Sequence, residues 1–193
     1  MTAQTFIKVD KATFYRFMAE EPEGRYEYVR GRIMQQQAGG TFGHVRIAAR
    51  FLSAFERVLD RSAWVATVAD RGVETADTIR FPDVVVERVG GDIKGQSTST
   101  PSVIVEVLSP TSEDRDLFVK PTEYLALPSL AAYIVASQDE PACVVWVRDQ
   151  NGQFPRDGID VKGLDQAIEV PSLGVTIALD DIYRGLFNAA HTA

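Results

Sequence analysis

The sequence predicts an α/β domain in which helices cover a β-sheet, and three observations carry that prediction. Apolar residues Val45, Ala48, Ala49, Leu52, Phe55 and Leu59 recur every three or four positions between Phe42 and Leu59, with arginines between them, as on an amphipathic helix. The runs AWVATV, GVETA, IRFPDVVVE and PSVIVEVLS are short, rich in branched residues and parted by turn-formers, as sheet strands are. No repeat, low-complexity tract or linker interrupts the chain, so a single domain over residues 1–193 is expected.

The other elements follow in order. In KATFYRFMAE, Phe14, Phe17 and Met18 lie at helical spacing, and Pro22 and Gly24 stop the helix. RYEYVRGRIMQQQ reads as one strand between Gly24 and the pair Gly39-Gly40. Residues 90–100 read as a loop between two strands. After Ser112, EDRDLFVKPTEYLAL is helical, AAYIVAS is a strand, and ACVVWVRD followed by Asn151-Gly152 is a hairpin. A last helix covers about Leu179 to Phe187.

Composition narrows the class. A hydrophobic share of 45% and a charged share of 24% are those of an ordinary globular chain rather than a disordered one. Cys143 is the only cysteine, which excludes an internal disulfide and a cysteine-built zinc finger. The opening MTAQTFIKVDKATFYRF has lysines and an aspartate where a secretory signal needs an unbroken apolar stretch. No apolar run approaches the roughly 20 residues of a membrane helix, so no membrane partner and a cytoplasmic location are expected. The net charge of -7 argues against a DNA partner, whose affinity rests on Lys and Arg contacts to phosphate. Locally the balance differs: Arg25, Arg30, Arg32, Arg46, Arg50, Arg57 and Arg61 fall in one segment that could face a phosphate backbone or form surface ion pairs.

Few residues could carry chemistry. In SVIVEVLS both alternating faces are apolar, so Glu106 has no polar face to occupy. A buried carboxylate costs several kcal/mol unless a cation or donors accompany it. Something cationic should therefore stand near Glu106, unless it ends the strand and reaches solvent or an arginine. Asp83 follows Pro82, which cannot donate to a sheet ladder and so marks a strand start, an edge, a bulge or a plain turn. Two strands with inward carboxylates would suit magnesium, which needs only one or two. Lys120 and Tyr124 lie four apart and share a helix face, either solvated or beside such a metal. Glu27 lies among Arg25, Arg30 and Arg32, where a cross-strand ion pair is the simplest account. His44 could touch phosphate or merely pack at a helix start.

At these residues the sequence resembles the PD-(D/E)XK nuclease superfamily, and more closely the Uma-two family of restriction-endonuclease-like proteins, many of them bacterial and uncharacterised. The resemblance runs from Lys11 to about Phe187. It is carried by the order Arg25-Tyr26-Glu27 with Gly31, His44 opening a helix, Phe81-Pro82-Asp83, Val105-Glu106-Val107-Leu108-Ser109-Pro110, and Lys120 with Tyr124. It implies a restriction-endonuclease-like fold: a central mixed β-sheet flanked by helices, here with a C-terminal hairpin extension. It further implies that Asp83 and Glu106 ligate Mg2+, for which Mn2+ could substitute, with Glu27 assisting. The superfamily pattern puts lysine two places after the glutamate, where this chain has Leu108; in the Uma-two pattern the following helix supplies it, and Lys120 matches. Pro121 departs from the pattern and either kinks the helix or restarts it as a first-turn residue. Residues 131–137 depart too, where the family has an aromatic-rich strand ending in aspartate.

The reading that results is a metal-dependent endonuclease acting on DNA, with Asp83, Glu106, Lys120 and Glu27 catalytic, and His44, Tyr124, Arg46 and Arg50 contacting substrate. A small single domain offers little surface for sequence readout, so a homodimer is expected. The rival is a catalytically silent nuclease-like fold for nucleic-acid binding or protein assembly. Sugar hydrolysis by Glu27 and Glu106 is a third reading, which 9% aromatic content does not favour.

Overall fold

Helix α1 (Lys11–Glu20) starts at Asp10, whose carboxylate accepts from Thr13 N at 2.7 Å, and leads into a hairpin of β1 (Tyr26–Val29) and β2 (Arg32–Gln35). These coordinates come from a computed structural model that describes residues 8–36, 40–109 and 113–187. Next come α2 (Phe42–Val58), β3 (Trp64–Val68), β4 (Gly72–Glu74), β5 (Thr78–Arg80) and β6 (Val84–Arg88). Then follow β7 (Ser97–Thr98), β8 (Pro101–Val107), a wide π-type turn (Arg115–Val119) and, without a break, α3 (Lys120–Tyr124). The chain continues through β9 (Ala132–Ala136), β10 (Ala142–Val147), β11 (Ile159–Lys162), β12 (Ala167–Val170), β13 (Val175–Ala178) and α4 (Leu179–Tyr183).

The central sheet has the order β11-β10-β9-β8-β6-β3, with β8 and β9 parallel and its other neighbours antiparallel. A second sheet, β2-β1-β5-β4-β7, stands beside it, and β12-β13 form a separate hairpin. One face of the central sheet buries Val84, Val86, Val103, Val105 and Ile134 against Ile47, Phe51 and Phe55 of α2, with α4 and the β12-β13 hairpin completing the cluster. The other face buries Val85, Ile104, Tyr133 and Trp146 against Tyr124, Leu127 and Leu130. Burying both faces is what a continuous apolar run such as that of β8 requires, and every residue of β8 is buried. A third cluster, of Phe14, Tyr28 and Ile79, holds α1 on the second sheet.

Several sequence expectations change in detail. RYEYVRGRIMQQQ is not one strand but the β1-β2 hairpin, turned by Arg30 and Gly31 at φ 51° and 87°, the two positive dihedrals of a tight hairpin turn. Gln37 and Gly39 lie outside the described residues. IRFPDVVVE divides between two sheets, β5 in the second and β6 in the central one, because Pro82 ends ladder pairing between them. The loop at 90–100 contains β7, which pairs in parallel with β4. Asn151-Gly152 turns the chain after β10, but β11 begins only at Ile159, so the hairpin loop is longer than a two-residue turn. The last helix stops at Tyr183 rather than Phe187. Among the described residues, no helix is long and apolar enough to cross a membrane.

Candidate active site

Glu106 sits in β8 two residues after Ile104, and strand alternation therefore turns it to the face that α3 covers. There the Lys120 ammonium lies 2.6 Å from Glu106 Oε1, and the Tyr124 hydroxyl donates to the same oxygen at 3.3 Å. All three side chains are buried. The cation that an all-apolar strand demanded is thus Lys120.

Lys120 reaches this position despite Pro121. Its N–H bonds to Arg115 O, five residues back, in the wide π pattern, and its backbone is helical at φ -62° and ψ -35°. Pro121 then stands in the first turn of α3, where a missing N–H is harmless, and the bonding resumes with Leu125 N to Pro121 O at 2.9 Å. Single π-type turns recur at functional sites, and here the turn also brings in Asp116. Lys120 Nζ is 2.8 Å from Asp116 Oδ1, an ion pair without a well-directed hydrogen bond to that oxygen. The Tyr133 hydroxyl anchors the turn by donating to Asp116 O at 2.8 Å. Asp116 is buried and was not among the sequence candidates, although its spacing of four from Lys120 was a signal for it.

Asp83 immediately precedes β6, the antiparallel neighbour of β8, in which Val84 faces Val105. Its Oδ2 accepts from Val107 N at 2.7 Å, one residue beyond Glu106, and lies 3.2 Å from His44 Nε2. The neighbouring strands therefore bring both carboxylates to the same part of β8. His44 is placed by the first turn of α2, where Thr41 Oγ1 accepts from His44 N at 3.1 Å.

The electrostatics follow from this crowding. Burial pushes the Glu106 carboxyl up to about 8; Lys120 opposes the shift, while Asp116 and Asp83 add to it. For Lys120, burial disfavours the ammonium, but Glu106, Asp116 and Glu27 outweigh it and hold the pKa above its ordinary value. Burial raises the Tyr124 hydroxyl well above its usual range, with Glu106 adding to the shift, so it remains a donor. The hydrogen bond to Asp83 raises the His44 pKa against a smaller effect of burial.

Glu27 on β1 is buried and held elsewhere: Arg80 of β5 donates to its Oε2 at 2.8 Å and Gln36 to its Oε1 at 2.8 Å. Arg115 stands 3.7 Å from the same Oε2. The cross-strand ion pair is thus made with Arg80, not with Arg25, Arg30 or Arg32. Arg80 also grips Glu123 of α3 through two bonds of 2.8 and 2.9 Å, tying the second sheet to the helix that carries Lys120. Arg80 and Glu123 were not sequence candidates.

The arginine segment does not form one free basic face. Arg50 donates to Ile182 O and Arg184 O at 2.8 and 2.9 Å, locking α2 to α4. Arg57 pairs with Asp181, and Arg61 lies 3.9 Å from Glu56. Arg46 is exposed.

Among the described residues, no three His, Cys, Asp or Glu side chains converge as a ready-made metal cage. The donor chemistry nevertheless fits a hard cation that retains most of its waters, because Asp83 and Glu106 offer carboxylate oxygens from adjacent strands. The negative charge that burial, Asp116 and Asp83 make costly at Glu106 is the charge such a cation would offset.

Fold and site together define a restriction-endonuclease-like α/β protein. A crystal structure from Anabaena variabilis, described as "a putative nuclease belonging to DUF820", has a TM-score of 0.64 to this chain at 18% identity, covering 86% of this chain and 93% of that one. The family Uma2, described as "Putative restriction endonuclease", matches residues 12–180, and the chain belongs to that family. The uncharacterized protein slr1290 of Synechocystis sp. is 29% identical over 170 residues, which are 86% of this chain and 87% of that one.

Proposed function

We propose that the chain is a metal-dependent endonuclease that hydrolyses phosphodiester bonds of DNA. The observation that carries this reading is the buried Lys120 ammonium, 2.6 Å from Glu106 on the strand beside Asp83. Asp83 and Glu106 would hold Mg2+, or Mn2+ in its place, which supplies an activated water and positive charge at the scissile phosphate. Lys120 keeps its proton in this cluster, so its part is to present positive charge to a phosphate oxygen rather than to accept a proton. Tyr124 fixes the Glu106 carboxyl by donating to it, and His44 does the same for Asp83. Glu27 acts through Arg80 and Glu123 on the position of α3. Arg46, on the exposed side of α2, supplies a phosphate contact, and a homodimer doubles the contacts available for site recognition.

The test is cleavage of supercoiled plasmid and single-stranded DNA with Mg2+ or Mn2+. The wild type should cut, and Asp83→Ala and Glu106→Ala should each lose on the order of 100-fold or more. A second reading, a nuclease-like fold that binds without cutting, is favoured by one observation: Glu106 and Asp116 already neutralise Lys120. Metal binding by the wild type with no cleavage of either substrate would establish it instead.

A further inference from the structure

A cavity of ≈ 530 Å³ opens onto Asp83 and is lined by Arg25, Tyr26, Gln36, Phe81 and Gln96. We propose that it seats one unpaired nucleoside of a DNA strand next to the phosphate that is cut; the inference rests on the nuclease reading of Asp83 and names the substrate form that the site takes.

The wall chemistry is that of a nucleoside. Tyr26 and Phe81 offer aromatic rings, on which a base stacks with little regard to its identity. Gln96 carries an amide that can both donate to and accept from a base edge, and Gln36, whose Nε2 already donates to Glu27, adds its carbonyl oxygen as an acceptor. Arg25 is exposed and offers a cation for a flanking phosphate. A duplex base could not reach such a cavity without leaving its stack, so the strand must be single or locally opened.

Two features show that the cavity is built rather than left over. Tyr26 is held edge-on to Phe17, with ring centroids 4.8 Å apart, and Gly24 leaves the ring its place, since a Cβ at that position would collide with the ring. On the Asp83 side the cavity is bordered by Ala69 and Asp70, two consecutive non-glycine residues with left-handed backbone at φ 47° and 49°. Ala69 N donates to Asp83 O at 3.1 Å, which pins this turn to the residue that opens the site. Left-handed backbone at successive L-residues is unfavourable, and such strain gathers where a surface is shaped for a ligand.

The test compares, without metal, the affinity of a fluorescent all-thymidine oligomer with that of the same oligomer made fully abasic. Plasmid cleavage is measured in parallel. The wild type should prefer the thymidine oligomer by about tenfold or more, the scale of one stacked base. Gly24→Ala, which displaces the Tyr26 ring, and Tyr26→Ala, which removes it, should each bring that preference towards one. Arg25→Ala should weaken both oligomers alike. Thermal melts identify any variant that fails to fold; if both ring variants do, the wild-type preference, and the equal weakening of both oligomers in the exposed-site variant Arg25→Ala, still decide the question. Equal affinity of the wild type for the two oligomers would overturn the inference, as would a preference unchanged in folded Gly24→Ala or Tyr26→Ala. Cleavage that survives such a result would show that the nuclease reading stands and the cavity alone is wrong. A ring-dependent preference in a protein that cuts nothing would show the reverse.

Discussion

Two ionic clusters with buried centres, Arg80 in one and Lys120 with Glu106 in the other, adjoin α3 and differ in balance. Around Arg80, two carboxylates, Glu27 and Glu123, meet two guanidinia, with Arg80 bonded to both acids and Arg115 alongside Glu27. Around Glu106, the Lys120 ammonium meets Glu106 and Asp116, and Asp83, paired with the imidazole of His44, adds a third carboxylate. The first cluster is balanced and braces the second sheet against the helix that carries Lys120. The second has an excess of acid in a buried place, and the raised Glu106 carboxyl is the physical mark of that excess. The difference teaches that buried charge alone does not single out a candidate site; incomplete compensation does.

Breaking the balanced cluster should have the largest effect on stability. Arg80→Ala leaves Glu27 and Glu123 buried without their shared cation and should cost about 3–5 kcal/mol. A denaturant midpoint measures this. In the unbalanced cluster, Glu106→Gln replaces a carboxyl whose ionised form burial already disfavours, and stability near neutral pH should change by only about 1 kcal/mol. If the two substitutions proved equally costly, the contrast would fail.

The same excess makes the stability of the metal-free protein depend on pH. The Glu106 carboxyl rises from its ordinary 4.5 to about 8 in the folded state, so the folded protein binds the extra proton and stability falls as pH rises from about 4.5 through 8. His44 is also raised on folding; its contribution is full below 6.5 and is lost as pH rises through its folded value. The two have the same sign. The melting temperature should therefore decline across that window, and the decline should flatten in the Glu106→Gln, His44→Ala double variant.

The smallest effects separate two arginines of α2. Arg50→Ala removes two bonds to carbonyls and should cost about 1 kcal/mol of stability. Arg46→Ala should leave stability within about 0.5 kcal/mol. If Arg46 meets a phosphate, its loss should lower the salt dependence of DNA binding by about one counterion.

What was legible in the sequence depended on range. Glu106 could be singled out because an acid among apolar residues on both strand faces has to be compensated, and that argument uses only local alternation. Lys120 stood out through family order, but its aim past Pro121 depended on a π-type turn that no local rule distinguishes from a kink. Asp116 stands four residues before Lys120, a spacing that also fits an ordinary surface ion pair, so only its burial sets it apart. Arg80 was beyond one, because its partners are 53 and 43 residues away and meet it only once the second sheet has formed. The β1-β2 hairpin was missed because Arg30-Gly31 adopts the geometry that Asn-Gly usually signals. The division into two sheets is not legible locally, because Pro82 interrupts an apolar run in the same way whether the strand merely bulges or changes pairing partners.

The central claim is that the acid excess around Lys120 is a cation site, and titration of Mn2+ into the wild type, Asp83→Asn and Glu106→Gln tests it most directly. The account predicts saturable binding by the wild type that weakens by about 10- to 100-fold or more in each variant while their folds persist. Binding of equal strength in all three, or none in the wild type, would contradict it.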